Sequence, residues 1–225
     1  MVSNKMSRMC DPRVTRAIAN SVLIPVVAKI TIGHEIEAEV AVSTGANFID
    51  EFEFGSATDC YIEDKRYLTV PVICGVANLV DCIRRLKEGA SILRTKHPSP
   101  TVRADATLIL INKIAGELAT LQVTLKDEAK KVTWLTMNSL EEADVEFLKD
   151  AKDISVLPLY AYGGISTPRD VALMMEMKCT GVFVDNSIFT SDIPRKRLKA
   201  MVKAVECFDD MEEMVKLSIG TAERS

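Results

Sequence analysis

Aromatic residues and histidine are scarce in this chain, and long runs of one charge are absent. Only 5% of the 225 residues are aromatic, and no basic stretch is long enough to follow a phosphate backbone. Nucleic-acid binding needs stacking rings and clustered cations, so we do not expect nucleic acid as a partner. With only two histidines, His34 and His97, we also expect no histidine-based zinc site and no bound metal.

Cysteine pairing motifs and targeting signals are missing as well. The six cysteines are scattered without a C-x-x-C pair, which is typical of reduced core residues in a cytosolic protein. No signal peptide precedes Asp11, and we expect no apolar stretch that spans a bilayer. The sequence therefore predicts a cytoplasmic protein without a membrane partner.

Apolar segments of strand length alternate with segments of helical period along the chain. This alternation predicts βαβ units around a parallel sheet, hence the α/β class, and no glycine-rich dinucleotide turn follows any strand. The predicted strands are Ile24 to Ala28, Phe48 to Ile49 with flanks, Val70 to Cys74, Ser91 to Leu93, Val156 to Tyr160 and Gly181 to Val184.

About six such units are fewer than the eight of a complete barrel, which typically takes about 250 residues. The chain also begins with a helix-like piece, Pro12 to Ala19. We therefore expect a single domain over residues 1–225 with a (β/α)8 TIM-type barrel that is incomplete and lacks its first strands.

Three local patterns mark helix boundaries. Thr167 followed by Pro168 is a helix start, with threonine as the N-cap and proline at the first helical position. Ser139 with Glu142 three residues later matches a capping box. Gly89 is typical of the residue that follows a helix end.

Two lysines close strand-like apolar segments, and they carry the first functional hypothesis. Lys29 ends the segment that starts at Ile24, and Lys96 ends the segment that starts at Ala90. A lysine at the C-terminal end of a buried parallel strand is partly desolvated and can attack a carbonyl to form a Schiff base. The alternative is an exposed charge at a strand end, which is common.

Charged and glycine residues near other strand ends are candidates for substrate binding. Asp50 and Glu53 can act as general acid or base or pair with a lysine, or they can be solvated loop carboxylates. Arg94 shares a strand face with Lys96 and can pair with an acid or bind phosphate.

Gly163-Gly164 ends one strand before the helix capped by Thr167, and this geometry suits either a phosphate loop or a simple tight turn. The next strand ends in Asp185-Asn186, where a carboxylate would repel a phosphate.

Taken together, the short motifs resemble the synthase subunit of the glutamine-dependent pyridoxal 5'-phosphate synthase, the PdxS/SNZ family. The resemblance runs from about Arg8 to Phe208 and is weakest between Pro98 and Val156. It is carried by motifs in one order: Arg8 to Pro12, Ile24 to Lys29, Ile32 to His34, Phe48 to Glu51, Val72 to Gly75, Arg84-Arg85 with Glu88 to Ala90, Leu93 to Lys96, Gly163-Gly164 with Thr167-Pro168, Ala172 to Met175 and Gly181 to Val184.

The resemblance implies a (β/α)8 barrel lyase that builds pyridoxal 5'-phosphate, vitamin B6, from ribose 5-phosphate, glyceraldehyde 3-phosphate and ammonia. A partner glutaminase supplies the ammonia, the family assembles as stacked hexameric rings, and no bound cofactor is expected. By position, Lys29 matches the lysine that forms the imine with the pentose phosphate, and Lys96 matches the lysine that takes over the intermediate. Asp50 matches the acid near the first lysine, and Gly163 matches a phosphate-loop glycine.

Departures from the family pattern fall on its anion-binding positions. The glycine-rich loop after Lys96 is replaced by His97-Pro98-Ser99-Pro100, and an arginine expected for the triose phosphate aligns near Ile109. The Gly-Ser phosphate pair after the last strand is Asp185-Asn186, and an arginine after the first lysine is Thr31. If each change costs about 1–3 kcal/mol, together they lower the rate by many orders of magnitude.

Three functional hypotheses follow. The first is an active synthase subunit that works through lysine imines. The second is a catalytically impaired paralogue that serves as an assembly or regulatory partner of full-length subunits, in a homo- or hetero-oligomer. A generic barrel aldolase or isomerase is a third reading, which the ordered motifs disfavour.

Overall fold

Six parallel strands form one sheet in which each strand pairs with the next along the chain. The computed structural model describes residues 8–52, 61–96, 103–184 and 186–221. The strands are β1 (Val27–Thr31), β2 (Phe48–Phe52), β3 (Val72–Val76), β4 (Ile92–Thr95), β5 (Leu159–Tyr162) and β6 (Gly181–Phe183). The strand order never reverses, unlike that of a doubly wound sheet, so the arrangement is that of an incomplete (β/α)8 barrel, as the sequence predicted.

Helices connect and cover the strands. In the described residues they are α1 (Pro12–Ser21), α2 (Glu35–Ser43), α3 (Leu79–Lys87), α4 (Ala104–Thr124), α5 (Glu128–Asn138), α6 (Glu142–Val145), α7 (Pro168–Glu176), α8 (Pro194–Glu206) and α9 (Met211–Ser218). Short 3-10 turns lie at Glu146–Leu148, Ile154–Val156 and Asn186–Thr190.

The hydrophobic core lies between the helices and one face of the sheet. Strand residues of this outer face, such as Ile30, Ile49 and Leu93, are buried together with Ala38 of α2 and Ile83 of α3. Each fully buried aliphatic side chain of this size stabilises the fold by about 1.5–3 kcal/mol. Because successive strand residues point to opposite faces, the intervening residues are presented on the inner face of the sheet.

The first strand starts three residues later than the sequence pattern predicted. Pro25 has no N–H to donate to a ladder, and the backbone N–H of Val26 donates to the side-chain oxygen of Asn47 at 2.8 Å. Pairing therefore begins at Val27 and continues to Thr31. As a result Lys29 lies in the middle of β1 and not at its C-terminal end.

The longest helix, α4, is long and apolar enough to cross a membrane by length and composition alone, contrary to the expectation that no such stretch exists. In the structure its buried residues Thr107, Ile111, Ile114 and Leu118 recur every three or four positions. This face packs against α3, β4 and β5, so α4 is a core-facing helix of the fold.

Candidate active site

The inner face of the sheet carries three of the sequence-predicted site residues, on β1, β2 and β4. Lys29 of β1 lies opposite Asp50 of β2 in the strand register. Arg94 of β4 lies opposite Gly75 of β3, and its guanidinium reaches across to Asp50. A basic, an acidic and a second basic side chain therefore share one face.

Asp50 and Arg94 form a buried ion pair. The Arg94 Nε donates to Asp50 Oδ1 at 2.9 Å, and Arg94 Nη2 donates to the backbone oxygen of Glu51 at 3.2 Å. The Arg94 side chain is only 3% exposed and the Asp50 side chain 6%. Of the two roles predicted for Arg94, the structure shows the pairing with an acid; phosphate binding by this residue stays a prediction.

Lys29 lies in an exposed environment. Its side chain is exposed, as in the alternative of an exposed charge and not as in partial desolvation. It lies at the centre of β1, an edge strand of the described sheet. The Nζ atom lies 3.9 Å from the centre of the Phe52 ring. The Nζ atom therefore lies over an aromatic face, in the geometry of a cation–π contact.

Lys96 directly follows β4, as predicted, and is half-buried. Its backbone N–H donates to the oxygen of Val76 at 2.8 Å, which extends the β3–β4 ladder by one residue. Its Nζ atom lies 5.8 Å from the centre of the Tyr61 ring. The two lysines therefore lie against different aromatic rings.

An aromatic cluster on the inner face was not found by sequence reasoning. Phe52 lies edge-on to Tyr162 with ring centres 6.2 Å apart, and Phe183 lies 6.5 Å from Tyr162 and 5.5 Å from Tyr160. Alternation along β2 and β5 is the signal that would have placed Phe52 beside Asp50, and Tyr160 and Tyr162 on the same face. Although the aromatic content of the chain is low, four aromatic rings lie together at the candidate site.

The Gly163-Gly164 turn adopts backbone angles that favour glycine. Both residues adopt positive φ, 116° and 71°, which side-chain-bearing residues rarely do. Thr107 of α4 fixes the turn by donating its hydroxyl to the oxygen of Gly163 at 2.7 Å. A phosphate role for this turn stays a prediction.

The N-terminus of the helix that follows the turn, α7, is capped by a capping box within the helix itself. Thr167 caps α7 with Pro168 at the first helical position, as predicted. The Asp170 carboxylate accepts the backbone N–H groups of Ser166 at 3.1 Å and Thr167 at 2.8 Å. These two donors therefore already bind an internal anion.

Several predicted positions lie outside the described residues or side chains. Glu53, Asp185 and the segment His97 to Pro100 belong to the residues that the structure does not describe. Asn186 starts the 3-10 turn Asn186–Thr190, and its side chain is not described. The predictions for these positions therefore stay predictions.

A second buried charge cluster, also missed from the sequence, lies behind Asp50 on the outer face. Glu51 accepts hydrogen bonds from the backbone N–H groups of Gly33 at 3.0 Å and Ile62 at 2.9 Å. It pairs with the fully buried Lys65 at 3.2 Å, and Lys65 pairs in turn with Glu88 at 2.6 Å. Glu51 thus ties the segments after β1 and before β3 to the strand that carries Asp50.

Burial controls the ionisation of groups in and near this cluster. Burial raises the pKa of the Glu88 carboxyl above its usual value, although the nearby Lys65 ammonium opposes this. Burial, together with the neighbouring Glu51 carboxylate, raises the pKa of the Cys74 thiol well above its usual range. Burial also raises the pKa of Cys179 to about 12. These two cysteines are therefore neutral core residues, as the sequence predicted for most of the six.

Comparison with known proteins by sequence points to one family. The sequence profile of the SOR/SNZ family matches residues 2–163. The pyridoxal 5'-phosphate synthase subunit PdxS of Clostridium botulinum (strain Loch Maree) is 38% identical over 216 residues, which cover 95% of this chain and 73% of that protein. The PdxS subunit of Clostridium novyi is 36% identical over 222 residues, which cover 96% of this chain and 93% of that protein.

The fold and the inner-face residues define an α/β protein of the barrel type, with an exposed lysine beside a buried Asp–Arg pair at its candidate site. With the family profile covering more than half of its length and PdxS relatives at 36–39% identity, the chain belongs to the SOR/SNZ family.

Proposed function

We propose that this chain takes part in pyridoxal 5'-phosphate biosynthesis as a synthase-type lyase subunit. The curated relatives carry that name, and the resemblance supplies the substrates: ribose 5-phosphate, glyceraldehyde 3-phosphate and glutamine-derived ammonia. In this proposal Lys29 forms the first imine and Lys96 takes over the intermediate. A glutaminase partner, assembly into an oligomer and a cytoplasmic location belong to the same proposal.

One observation carries the chemical part of the proposal: Lys29 is exposed and lies on the same face of the sheet as the buried Asp50–Arg94 pair. An uncharged lysine amine adds to the aldehyde carbon, and loss of water from the carbinolamine leaves an imine. Asp50 lies directly opposite Lys29 in the strand register. In the proposal its carboxylate stabilises the protonated imine, which carries a positive charge.

Borohydride trapping tests this proposal directly. The purified chain is incubated with ribose 5-phosphate, reduced with borohydride, digested and mapped by mass spectrometry. We expect a sugar-phosphate adduct on Lys29, and its loss in Lys29→Arg, because a guanidinium keeps its charge and does not form the imine. A wild-type chain without an adduct at Lys29 would refute imine formation by this residue.

A second candidate function is that of a non-catalytic assembly partner of full-length synthase subunits. Two observations favour it. The Arg94 guanidinium is engaged by Asp50 and by the backbone of Glu51, and Leu23 and Ile24 are apolar residues that the described fold leaves exposed beside β1. In this role the chain would add a surface to a mixed oligomer without turning over substrate.

A further inference from the structure

A buried threonine hydroxyl joins the strand that leads into Lys96 to the strand that leads into the Gly163-Gly164 turn. Thr95 is the last residue of β4 and is fully buried. Its hydroxyl donates to the backbone oxygen of Tyr162 at 2.6 Å and accepts the backbone N–H of Tyr162 at 2.7 Å. One hydroxyl can make both contacts because it has a donor hydrogen and acceptor lone pairs. Thr95 therefore bonds both backbone groups of the residue that ends β5.

These two hydrogen bonds continue the sheet beyond the backbone pairing of β4 with β5. The last pair in the register of the two strands is Arg94 with Tyr160, two residues before Tyr162. Beyond that pair, a side-chain hydroxyl takes the place of the backbone groups of β4. The spacing of the two strand ends at the C-terminal edge of the sheet therefore depends on Thr95.

The residues next to this bonded pair are the candidates for imine chemistry and for anion binding. Lys96 directly follows Thr95 in the chain, and the glycine turn directly follows Tyr162. Adjacent strands are about 4.8 Å apart, so the lysine and the turn leave the sheet side by side. Thr107 of α4 donates to the oxygen of Gly163 at 2.7 Å and to that of Tyr162 at 3.3 Å. Two buried threonine hydroxyls therefore locate the turn, and that of Thr95 lies on the strand that leads into Lys96.

We infer that Thr95 is a positioning residue, which sets Lys96 relative to a phosphate bound at the Gly163-Gly164 turn. The inference rests on the proposed function, in which Lys96 takes over a phosphate-bearing intermediate as an imine. The amine adds to the carbonyl carbon, and the carbinolamine loses its oxygen as water to leave the imine. A phosphate held at the turn orients the carbonyl toward the lysine, and a small displacement of either strand end lowers the rate of this addition steeply.

Two aldehydes that differ by one phosphate test this inference. Glyceraldehyde 3-phosphate and glyceraldehyde are each incubated with the folded chain and cyanoborohydride, which delivers hydride to the iminium carbon and fixes the adduct. Peptide mapping gives the adduct yield at Lys96 and at two exposed lysines, Lys152 and Lys199. The mean yield ratio of the two aldehydes at the exposed lysines corrects the ratio at Lys96 for intrinsic reactivity.

In the wild-type chain we expect a corrected preference for the phosphorylated aldehyde at Lys96 of about tenfold, equivalent to about 1.4 kcal/mol. Thr95→Val removes the hydroxyl but keeps the branched shape, so the preference should fall to about twofold or less. Thr95→Ser keeps the hydroxyl and should retain most of the preference. Thr44→Val is the matched control. Thr44 is also buried, and its hydroxyl donates to the oxygen of Ala41 at 2.8 Å, so this change should leave the preference at Lys96 unaltered.

The wild-type measurement alone can overturn the inference, even if Thr95→Val does not fold. A wild-type chain without a corrected phosphate preference at Lys96 overturns it. So does a preference that persists unchanged in folded Thr95→Val, or one that is lost equally in Thr44→Val, which would indicate a general loss of stability. Failure of the proposed function has a different signature, in which ribose 5-phosphate yields no adduct at Lys29 while the preference at Lys96 still depends on Thr95.

Discussion

Asp50 and Arg94 are two opposite charges that folding removes from water. Their burial costs free energy unless the two side chains form an ion pair. Desolvation of each ion costs several kcal/mol, and the mutual attraction and hydrogen bonds of the pair offset this cost. The Asp50 carboxylate and the Arg94 Nε are 2.9 Å apart, and the backbone of Glu51 accepts a further hydrogen bond from Arg94. The pair therefore fixes the positions of both side chains beside Lys29.

Removing one partner of this pair should be more harmful than removing both. We expect Asp50→Ala to lower the free energy of unfolding by about 3–5 kcal/mol, because it leaves a buried arginine without its anion. The double variant Asp50→Leu/Arg94→Met, which replaces both charges with apolar side chains, should be clearly more stable than Asp50→Ala. Urea unfolding of the wild-type chain and the variants measures these differences, and a double variant less stable than Asp50→Ala would contradict the expectation.

At the scale of elements, one helix side chain holds the C-terminal end of β1. Glu37 of α2 accepts the backbone N–H groups of Thr31 at 2.8 Å and Met9 at 3.3 Å, and it pairs with Arg8 at 3.1 Å. Burial alone would raise the pKa of the Glu37 carboxyl, but hydrogen bonds from Thr31 and Met9 outweigh it and hold the pKa below its usual 4.5. The charged form of Glu37 is therefore the one that stabilises the strand carrying Lys29.

This pKa shift predicts a pH-dependent contribution to stability. Because the folded-state pKa of Glu37 is lower than the unfolded-state value, its contribution is fully present above about pH 4.5 and is lost as the pH falls through the folded-state pKa. We expect Glu37→Gln to cost about 1–2 kcal/mol at pH 7 and less at pH 3, which lies below the usual pKa of 4.5. Thermal unfolding over this pH range is the measurement, with Glu39→Gln, an exposed position on the same helix, as the control. A cost for Glu37→Gln that is equal at both pH values would contradict this expectation.

Helix boundaries show where local sequence suffices and where it does not. Thr167-Pro168 starts α7 as predicted, because the threonine and Asp170 cap each other within four residues. The capping box predicted at Ser139 is wrong. Ser139 adopts a left-handed conformation as the C-cap of α5, and the short helix α6 is capped by Glu141 with Asp144. The Ser-x-x-Glu pattern therefore lies at a helix end, where the backbone N–H of Leu140 donates to the oxygen of Leu135 at 3.0 Å and Leu140 itself is buried in the core.

At the scale of the whole molecule, the described sheet has two edges, β1 and β6. An edge strand presents backbone donors and acceptors that can pair with another chain. Apolar side chains just before β1 and at its start are exposed: Leu23 is fully exposed, Ile24 is 72% exposed, and Val27 is also exposed. Exposed apolar patches of this kind are typical of protein–protein contacts.

The exposed apolar residues predict how assembly should respond to mutation. We expect the variant Leu23→Ser/Ile24→Ser to weaken association of the chain, either with itself or with a full-length PdxS subunit of a relative, by about tenfold or more. Native mass spectrometry and light scattering at several concentrations measure the complexes. Val202→Ser, which changes an apolar residue exposed on α8, serves as the control, and equal association of the wild type and the double variant would exclude this surface as an interface.

The sequence alone determined the α/β class, the parallel sheet and the family. These depend on the period of apolar residues and on short ordered motifs, both of which are local properties. It also predicted that Lys29, Asp50 and Arg94 lie near strand ends, but it did not determine which residues each of them contacts.

Only the tertiary structure decided the partners of those residues. It showed that Lys29 is exposed on a mid-strand aromatic face, that Arg94 pairs with Asp50, and that Glu51 and Lys65 form a buried pair behind them. Asp50 and Arg94 are 44 positions apart and Glu51 and Lys65 are 14 apart in the sequence. Strand register brings the first pair together, and folding of the segment before β3 brings the second. Register and burial depend on the packing of the entire sheet, and no local pattern in the sequence encodes them.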